Sequence, residues 1–138
     1  MIICDDETYK EAAEFYANKL GIPEETIIAV GLYPNIPVAG YCEYHDEEVI
    51  PYFVVGIDDA DYEGGEDDPL MVLAHEMVHV KQYVSGALVE HGKYASWHGK
   101  KYDEFEPNSE EYFFSPWEVE AYGMQVGLYR MYCRSMEQ

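Results

Sequence analysis

Residues 69–83, PLMVLAHEMVHVKQY, are the stretch of sequence that decides the fold. They contain HEMVH at positions 75–79, which is an H-E-x-x-H pattern. Residues four apart share one face of a helix, so His75 and His79 can offer two imidazole nitrogens to one metal ion. Glu76 follows the first histidine and can reach a water molecule beside that ion. The stretch therefore predicts a metal site on a helix.

The flanking residues favour a buried helix. Asp68 is a good N-cap, Pro69 suits the first helical position, and Gly86 stands where such a helix would stop. The residues between them are apolar on several faces, as in a core helix. Histidine and glutamate in such a helix are costly unless they are paired or bind a metal. The alternative to a metal site is a pair of hydrogen-bonded core histidines beside a salt-bridged glutamate.

The composition is that of one globular domain covering residues 1–138, with 48% apolar residues and a net charge of −20. This charge argues against a nucleic-acid or anionic-membrane binder, because such proteins need a basic surface. It permits attraction of basic partners. The simpler explanation of the charge is a solvated acidic coat that aids solubility.

Three widely spaced cysteines, Cys4, Cys42 and Cys133, form no C-x-x-C pair, which excludes a zinc ribbon. An odd number of cysteines suits reduced thiols in a cytosol. The first residues, MIICDDETYKE, lack the basic start of a signal peptide, and no apolar run approaches the length of a membrane span. The sequence predicts a soluble cytoplasmic protein.

Hydrophobic periodicity predicts an α+β fold. The apolar stripe of residues 5–20 predicts a first helix, and β-branched runs then predict three strands. A hairpin that turns at His98 and Gly99 and a final helix follow the central helix. The predicted bounds are 26–33, 38–44 and 49–57 for the strands, 95–102 for the hairpin and 115–134 for the final helix.

Two acidic segments and one proline complete the pattern. Residues 58–68, DDADYEGGEDD, do not fit the spacing of an EF-hand, so we expect a surface loop and not a calcium site. Residues 103–112 are predicted to be an acidic linker. Pro51 predicts that the third strand begins as an edge or with a bulge.

A catalytic zinc ion usually has three protein ligands and one water molecule, so a third ligand is needed after His79. The H-E-x-x-H-x-x-G-x-x-H arrangement is ruled out, because Gln82 and Ser85 stand where it requires glycine and histidine. The remaining candidates are His91, His98, Glu118 and Glu120.

Glu118 is the strongest of these candidates. It stands in the first turn of the final helix, and Ala121 on the same face is small enough to let two helices approach. The alternative is a capping box, in which Glu118 bonds back to the backbone amide of Ser115. Glu120 points about 200° away around the helix. We expect it to face solvent or to support a ligand. It is the second choice, after Glu118, for the third metal ligand.

His98 is a further ligand candidate. It begins HGKKY at 98–102, which resembles the H-G-x-x-aromatic stretch of SprT-like proteases, whose third ligand is that histidine. Here the histidine follows His79 by nineteen positions, which is longer than that pattern implies. The alternative is a solvated histidine in a turn near the cleft.

The segments HEMVHVKQY and PWEVEAYG resemble those of small zincin-like metallopeptidases of bacteria and their phages, relatives of the minigluzincin, SprT-like and ImmA/IrrE groups. The resemblance implies one Zn²⁺ ion held by His75, His79 and Glu118, with Glu76 as general base. It also implies a single zincin-like domain. Such a domain has a small, mostly antiparallel sheet, a backing helix, an H-E-x-x-H helix and a C-terminal ligand helix.

The sequence departs from the gluzincin pattern at one position, since Tyr122 replaces an aspartate that often orients a ligand histidine. The orienting group of the histidines is therefore not assigned from the sequence. Tyr122 and His98 remain candidates for a supporting or oxyanion-stabilising role, and Tyr83 and His91 are further candidates for the oxyanion role.

The resemblance implies a zinc metalloendopeptidase that hydrolyses peptide bonds of an intracellular protein with metal-activated water. Its place would be the cytoplasm of a bacterium or of a phage-infected cell. The substrate is expected to lie along the third predicted strand as an added β-strand. The alternative function is an inactive zincin-fold binding module whose acidic surface holds a basic partner. A DNA-dependent protease is disfavoured by the net charge and by the lack of a zinc ribbon.

Overall fold

The computed structural model describes residues 1–60, 68–103 and 109–137, and it has an α+β fold as predicted. Residues 61–67 of the predicted loop 58–68 and residues 104–108 of the predicted linker 103–112 lie outside these residues. The described part of the linker corrects the prediction, since position 103 ends a strand and positions 110–112 belong to a short helix. In chain order the elements are β1 (Ile2–Ile3), α1 (Glu7–Leu20), β2 (Ile28–Leu32), β3 (Gly40–His45), β4 (Tyr52–Ile57), α2 (Pro69–Val84), β5 (Leu88–Glu90), β6 (Tyr94–Trp97), β7 (Lys100–Asp103), α3 (Glu110–Phe113) and α4 (Pro116–Met136).

The first sheet is mixed and has the strand order β1-β2-β4-β3. Strand β2 runs parallel to both β1 and β4, and only β3 is antiparallel to its neighbour β4. The expectation of a mostly antiparallel sheet is therefore wrong for this sheet. The physical reason is that β3 lies at the far edge of the sheet, so that β4, the next strand along the chain, lies between β2 and β3. The last three residues of β4 are all buried, as in the strands of parallel sheets, while Tyr52 and Val54 are half-buried.

This strand order also corrects the prediction about the third strand. Strand β4 is interior, with β2 on one side and β3 on the other, so it offers no free edge to a substrate. Pro51 lies just before β4 and does not mark an edge strand. The strand at the edge of the sheet is β3, which corresponds to the second predicted strand.

Helix α2 lies between the first sheet and helices α1 and α4. Asp68 caps it by accepting a hydrogen bond from the Leu70 amide at 2.8 Å, and the helix ends before Gly86, which has a φ of 79°. Its residues from Val72 to Val80 are all buried. The Tyr16 hydroxyl of α1 donates a hydrogen bond to the Leu70 carbonyl at 2.9 Å and so fixes α1 against the start of α2.

A close approach between β3 and α2 brings the edge strand to the helix. A Cβ atom on Gly40 would lie 2.7 Å from the Val72 Cγ1 atom and 3.1 Å from the Gly56 carbonyl oxygen. Neither neighbour is the flexible end of a long side chain, so this approach requires glycine. The edge strand is therefore held directly beside the helix that carries the H-E-x-x-H pattern.

The second sheet is antiparallel, with the order β5-β6-β7. His98 and Gly99 form the hairpin turn, as predicted, and both have positive φ angles of 48° and 85°. The very short elements β1, β5 and α3 were not predicted. No helix within the described ranges is long and apolar enough to cross a membrane.

Candidate metal centre

Helix α2 places His75 and His79 one turn apart on the face that packs against α4. Both side chains are buried, with 7% and 8% of their surface exposed. Their Nε2 atoms lie 3.2 Å from each other, and the two rings meet edge to face. This convergence follows from the four-residue spacing on a helix held rigid by its caps and by the core.

Helix α4 adds Glu118, which is only 4% exposed, to the same point. Its Oε1 atom lies 3.0 Å from His75 Nε2, and its Oε2 atom lies 3.1 Å from His79 Nε2. The capping-box alternative is not what the structure has. The side chain of Ser115 makes no cap hydrogen bond, and its hydroxyl donates to the Tyr112 carbonyl at 2.7 Å.

The three donor groups lie close enough together to share one metal ion. Bonds of 2.0–2.1 Å to nitrogen and oxygen imply ligand atoms roughly 3.3 Å apart around a tetrahedron. The two Nε2 atoms are 3.2 Å apart and lie 3.0 and 3.1 Å from two different oxygens of Glu118, so one ligand atom from each side chain lies within 4.8 Å of the other two. Among the described residues, these three side chains form the group of histidine, cysteine and acidic side chains that can hold a metal ion. Two nitrogens and one carboxylate oxygen form a donor set that zinc accepts.

Two glutamines orient the histidines, and the sequence analysis missed both. The His75 Nδ1–H donates to Gln125 Oε1 at 2.8 Å, and the His79 Nδ1–H donates to Gln82 Oε1 at 2.7 Å. Because Nδ1 is engaged in this way, Nε2 is the ring nitrogen that each histidine would offer to a metal ion. Gln82 follows His79 by three residues and Gln125 follows Glu118 by seven. This helical spacing, which places each glutamine on the same face as a ligand, was the signal in the sequence that could have identified them.

The amide of Gln82 is itself fixed by two further bonds. Its Nε2 atom donates to the Trp117 carbonyl at 2.9 Å and to Glu120 Oε1 at 3.1 Å. These bonds require the amide nitrogen to face α4, which leaves the oxygen facing His79. Glu120 is thus outside the ligand group. It is exposed and supports the ligand His79 through Gln82, which is one of the two roles expected for it from the sequence.

Of the other predicted residues, Tyr122 contacts a ligand histidine, and the two hairpin-region histidines lie outside the ligand group. Tyr122 packs its ring edge-on against His75, with ring centroids 4.4 Å apart, while Gln125 makes the hydrogen bond that the sequence analysis left unassigned. His98 is exposed in the hairpin turn and is outside the ligand group. His91 is also exposed and pairs with Ser96 Oγ at 3.2 Å.

The buried charges of the centre compensate one another. Burial alone would raise the pKa of Glu118, but hydrogen bonds from the two histidines outweigh it and lower the pKa to about 2. Burial would lower the pKa of His79, but its hydrogen bond to Glu118 and the negative charge of Glu76 raise it to about 9. Burial raises the pKa of Glu76, and the neighbouring histidines offset part of this effect.

Glu76 faces a cleft that runs along both sides of the ligand group. Two adjoining cavities of about 320 Å³ each form this cleft, and both are lined by Gly40 of β3, His75, Glu76 and Tyr112. Burial, the negative charges of Glu118 and Glu76 and a hydrogen bond to Glu118 raise the pKa of the Tyr112 hydroxyl. This hydroxyl therefore stays protonated beside the ligand group, and the sequence analysis missed it.

Comparisons of this chain with protein-family models, with curated proteins and with solved structures found no match. The resemblance to zincin-like peptidases therefore stays a prediction based on the quoted segments. The function must be argued from the geometry of the site.

Proposed function

We propose that this protein is a zinc-dependent metallopeptidase of the zincin type. The observation that carries the proposal is the convergence of His75, His79 and Glu118 on one point, with Glu76 beside it in an open cleft. Three protein ligands leave a fourth position for water or substrate, which distinguishes catalytic zinc sites from closed structural ones. When bound there, a zinc ion would make water more acidic and would polarise a carbonyl group.

Glu76 is the general base in this proposal. It accepts a proton from the water molecule that attacks the peptide carbonyl carbon. It then delivers that proton to the nitrogen of the breaking C–N bond. The second proton of the water passes from the new carboxylic acid to the amine, so the products are a carboxylate and an ammonium group. Its raised pKa suits both steps, because the carboxylate must first take the proton and later give it up.

Tyr112 is the donor that we assign to the oxyanion of the attacked carbonyl. Its hydroxyl contacts Glu118, its side chain lines both cavities, and its raised pKa keeps the proton available for donation. Donors aimed at developing negative charge contribute roughly 2.7–4 kcal/mol in other acyl-transfer sites. Tyr83 is less suitable, since it lines only the first of the two cavities, where its hydroxyl donates to Glu90 Oε1 at 2.8 Å.

The substrate in this proposal is an extended peptide that adds to β3. Residues 40–42 of this edge strand line the cleft, and β3 pairs with β4 on its other side. An extended segment can therefore hydrogen-bond to the edge and pass the ligand group with its backbone aligned. The interior β4 cannot do this.

A second candidate is the binding module without catalysis. One observation favours it: the ligand group joins α2 to α4, so an ion there would crosslink two helices and could be purely structural. In that case chelation would lower the unfolding temperature, and no peptide would be cleaved with or without metal.

Glu76→Gln tests the proposal, because it keeps the size and shape of the side chain but removes the base. We expect unchanged zinc content by elemental analysis and a loss of roughly 10²–10⁴ in turnover of a peptide library. The matched control is Glu11→Gln, which removes the same charge from an exposed position on α1. Cleavage by Glu76→Gln at the parent rate would refute the peptidase assignment.

A further inference from the structure

A side pocket opens from the cleft beside the ligand group. It has a volume of about 270 Å³ and shares four lining residues with the first cavity: Glu90, Ala95, Tyr112 and Trp117. The side pocket is therefore continuous with the place where a substrate would lie. A side chain projecting from an extended peptide could enter it.

The walls of the side pocket combine a carboxylate with aromatic rings. Glu90 supplies a carboxylate on the face of the hairpin that carries Ala95, and Tyr112 and Trp117 supply rings. Tyr94 and Asp103, which pair with each other, line the pocket from positions whose side chains lie on the opposite face of the hairpin. Among the residues that the structure describes, no lysine or arginine lines the side pocket or the two cavities of the cleft. Carboxylates beside aromatic faces are the environment that attracts ammonium and guanidinium groups.

Glu90 is held in place at the junction of the first cavity and the side pocket. The Tyr83 hydroxyl of α2 donates a hydrogen bond to its Oε1 atom at 2.8 Å, which leaves Oε2 for another donor. On the second sheet Glu90 pairs with Ala95, and both line the two spaces. A carboxylate fixed by a neighbour loses less side-chain freedom when it binds a cation.

The two lysines of β7 do not line this junction. Lys101 pairs with Ser96 on β6, which places it on the opposite face of the hairpin from Ala95, and its Nζ atom lies 4.7 Å from the centre of the Tyr94 ring. Lys100 lies at the turn end of the hairpin, with its Nζ atom 5.2 Å from the centre of the Tyr102 ring. Neither residue lines the cleft or the side pocket.

We propose that Glu90 is a specificity-determining residue and that the side pocket accepts a lysine or arginine side chain of the peptide substrate. This inference deepens the proposed function and rests on it, since it assumes an extended peptide beside β3. It also gives part of the acidic surface a definite role, which is the selection of a basic residue near the bond to be cleaved.

The test measures binding separately from cleavage. Zinc-loaded Glu76→Gln protein is titrated into fluorescent decapeptides that are identical except at one position, which is scanned along the chain and carries lysine, norleucine or glutamate. Norleucine has the four-carbon side chain of lysine without the ammonium group. At one position we expect the lysine peptide to bind roughly fivefold more tightly than the norleucine peptide, with a preference that shrinks at high salt.

Glu90→Gln in the same background should remove this preference and leave the affinity for the norleucine peptide unchanged. Glu11→Gln, with the same loss of charge on α1, should keep it. Thermal melting of each variant checks the fold. The inference would be overturned if all three peptides bound equally or if none bound. It would also be overturned if the preference for lysine survived Glu90→Gln, or if Glu90→Gln and Glu11→Gln reduced it equally.

The outcomes for the two proposals are distinguishable. A protein that selects the lysine peptide through Glu90, but whose parent form cleaves nothing, supports the side pocket and contradicts the peptidase. A parent protein that cleaves peptides in a chelator-sensitive way, without any preference that depends on Glu90, supports the peptidase and contradicts the side pocket.

Discussion

Replacing Gln125 by leucine should weaken zinc binding without touching any of the three proposed ligands. Gln125 Oε1 accepts the hydrogen bond from His75 Nδ1 at 2.8 Å, and the glutamine is only 5% exposed. Leucine fills a similar volume but offers no acceptor. The Nδ1–H of a zinc-bound His75 would then remain buried without a partner, since the ion requires its proton on Nδ1.

The magnitude follows from this unsatisfied donor. A buried donor that loses its acceptor costs about 1–3 kcal/mol, which corresponds to a factor of roughly 5–150 in an equilibrium constant. Loss of a group that orients a metal ligand typically lowers metal affinity about 10–100-fold, which agrees. We therefore expect zinc affinity to fall by about one to two orders of magnitude in Gln125→Leu.

The assay is competition for zinc with a chromophoric chelator at fixed pH. Gln125→Glu is the matched control, because a carboxylate still accepts the bond from His75 and should retain the affinity. If Gln125→Leu binds zinc as tightly as the parent protein, the orienting role of this hydrogen bond is refuted.

Three further predictions concern the same centre. Glu118→Ala should lower the zinc content measured by elemental analysis while His98→Ala leaves it unchanged, and the reverse result would move the third ligand to the hairpin turn. A metal ion requires neutral His79, and the pKa of His79 is about 9. Zinc affinity measured by chelator competition should therefore rise about tenfold per pH unit up to about pH 9 and then level off. An affinity that does not change with pH would contradict this coupling. Tyr112→Phe should keep the zinc content and lower turnover by roughly 10²–10³ if its hydroxyl stabilises the oxyanion, and unchanged turnover would exclude that role.

The central helix and the position of Glu118 could be predicted because local physics determines both. Asp68, Pro69 and Gly86 mark the ends of α2, and the i, i+4 spacing fixes the two histidines on one face. Glu118 was placed from its position in the first turn of α4 and from the small Ala121 beside it. Each of these signals lies within a few residues of sequence, so no knowledge of the tertiary structure was required.

The order of the strands could not be predicted, since it depends on pairings between distant segments. Nothing within the sequence of β3 indicates that it passes beyond β4 to the edge, and the burial of β4 is visible only once α2 covers it. The two orienting glutamines were missed for a related reason. An amide side chain on a helix has no distinctive pattern, and Gln125 is recognisable only when α4 is packed against α2.

Tyr112 was missed because it belongs to α3, a helix of four residues in a segment whose acidic composition predicted a linker. A helix this short has no measurable periodicity. Its caps were visible in principle, since Ser109 accepts a bond from the Tyr112 amide at 3.1 Å. With 14 tyrosines in the chain, composition alone could not select this one.

The contacts of Gln82 also have a consequence for how the chain could be re-engineered. Because this amide bonds both to His79 and to the Trp117 carbonyl, the start of α4 is aligned directly with the helix that it faces. The alignment of Glu118 is therefore set across the helix pair and not by the length of the connection before it. We expect that residues could be inserted between positions 103 and 109 with little change in zinc affinity. An insertion between Trp117 and Glu118 would rotate the carboxylate by about 100° and abolish binding.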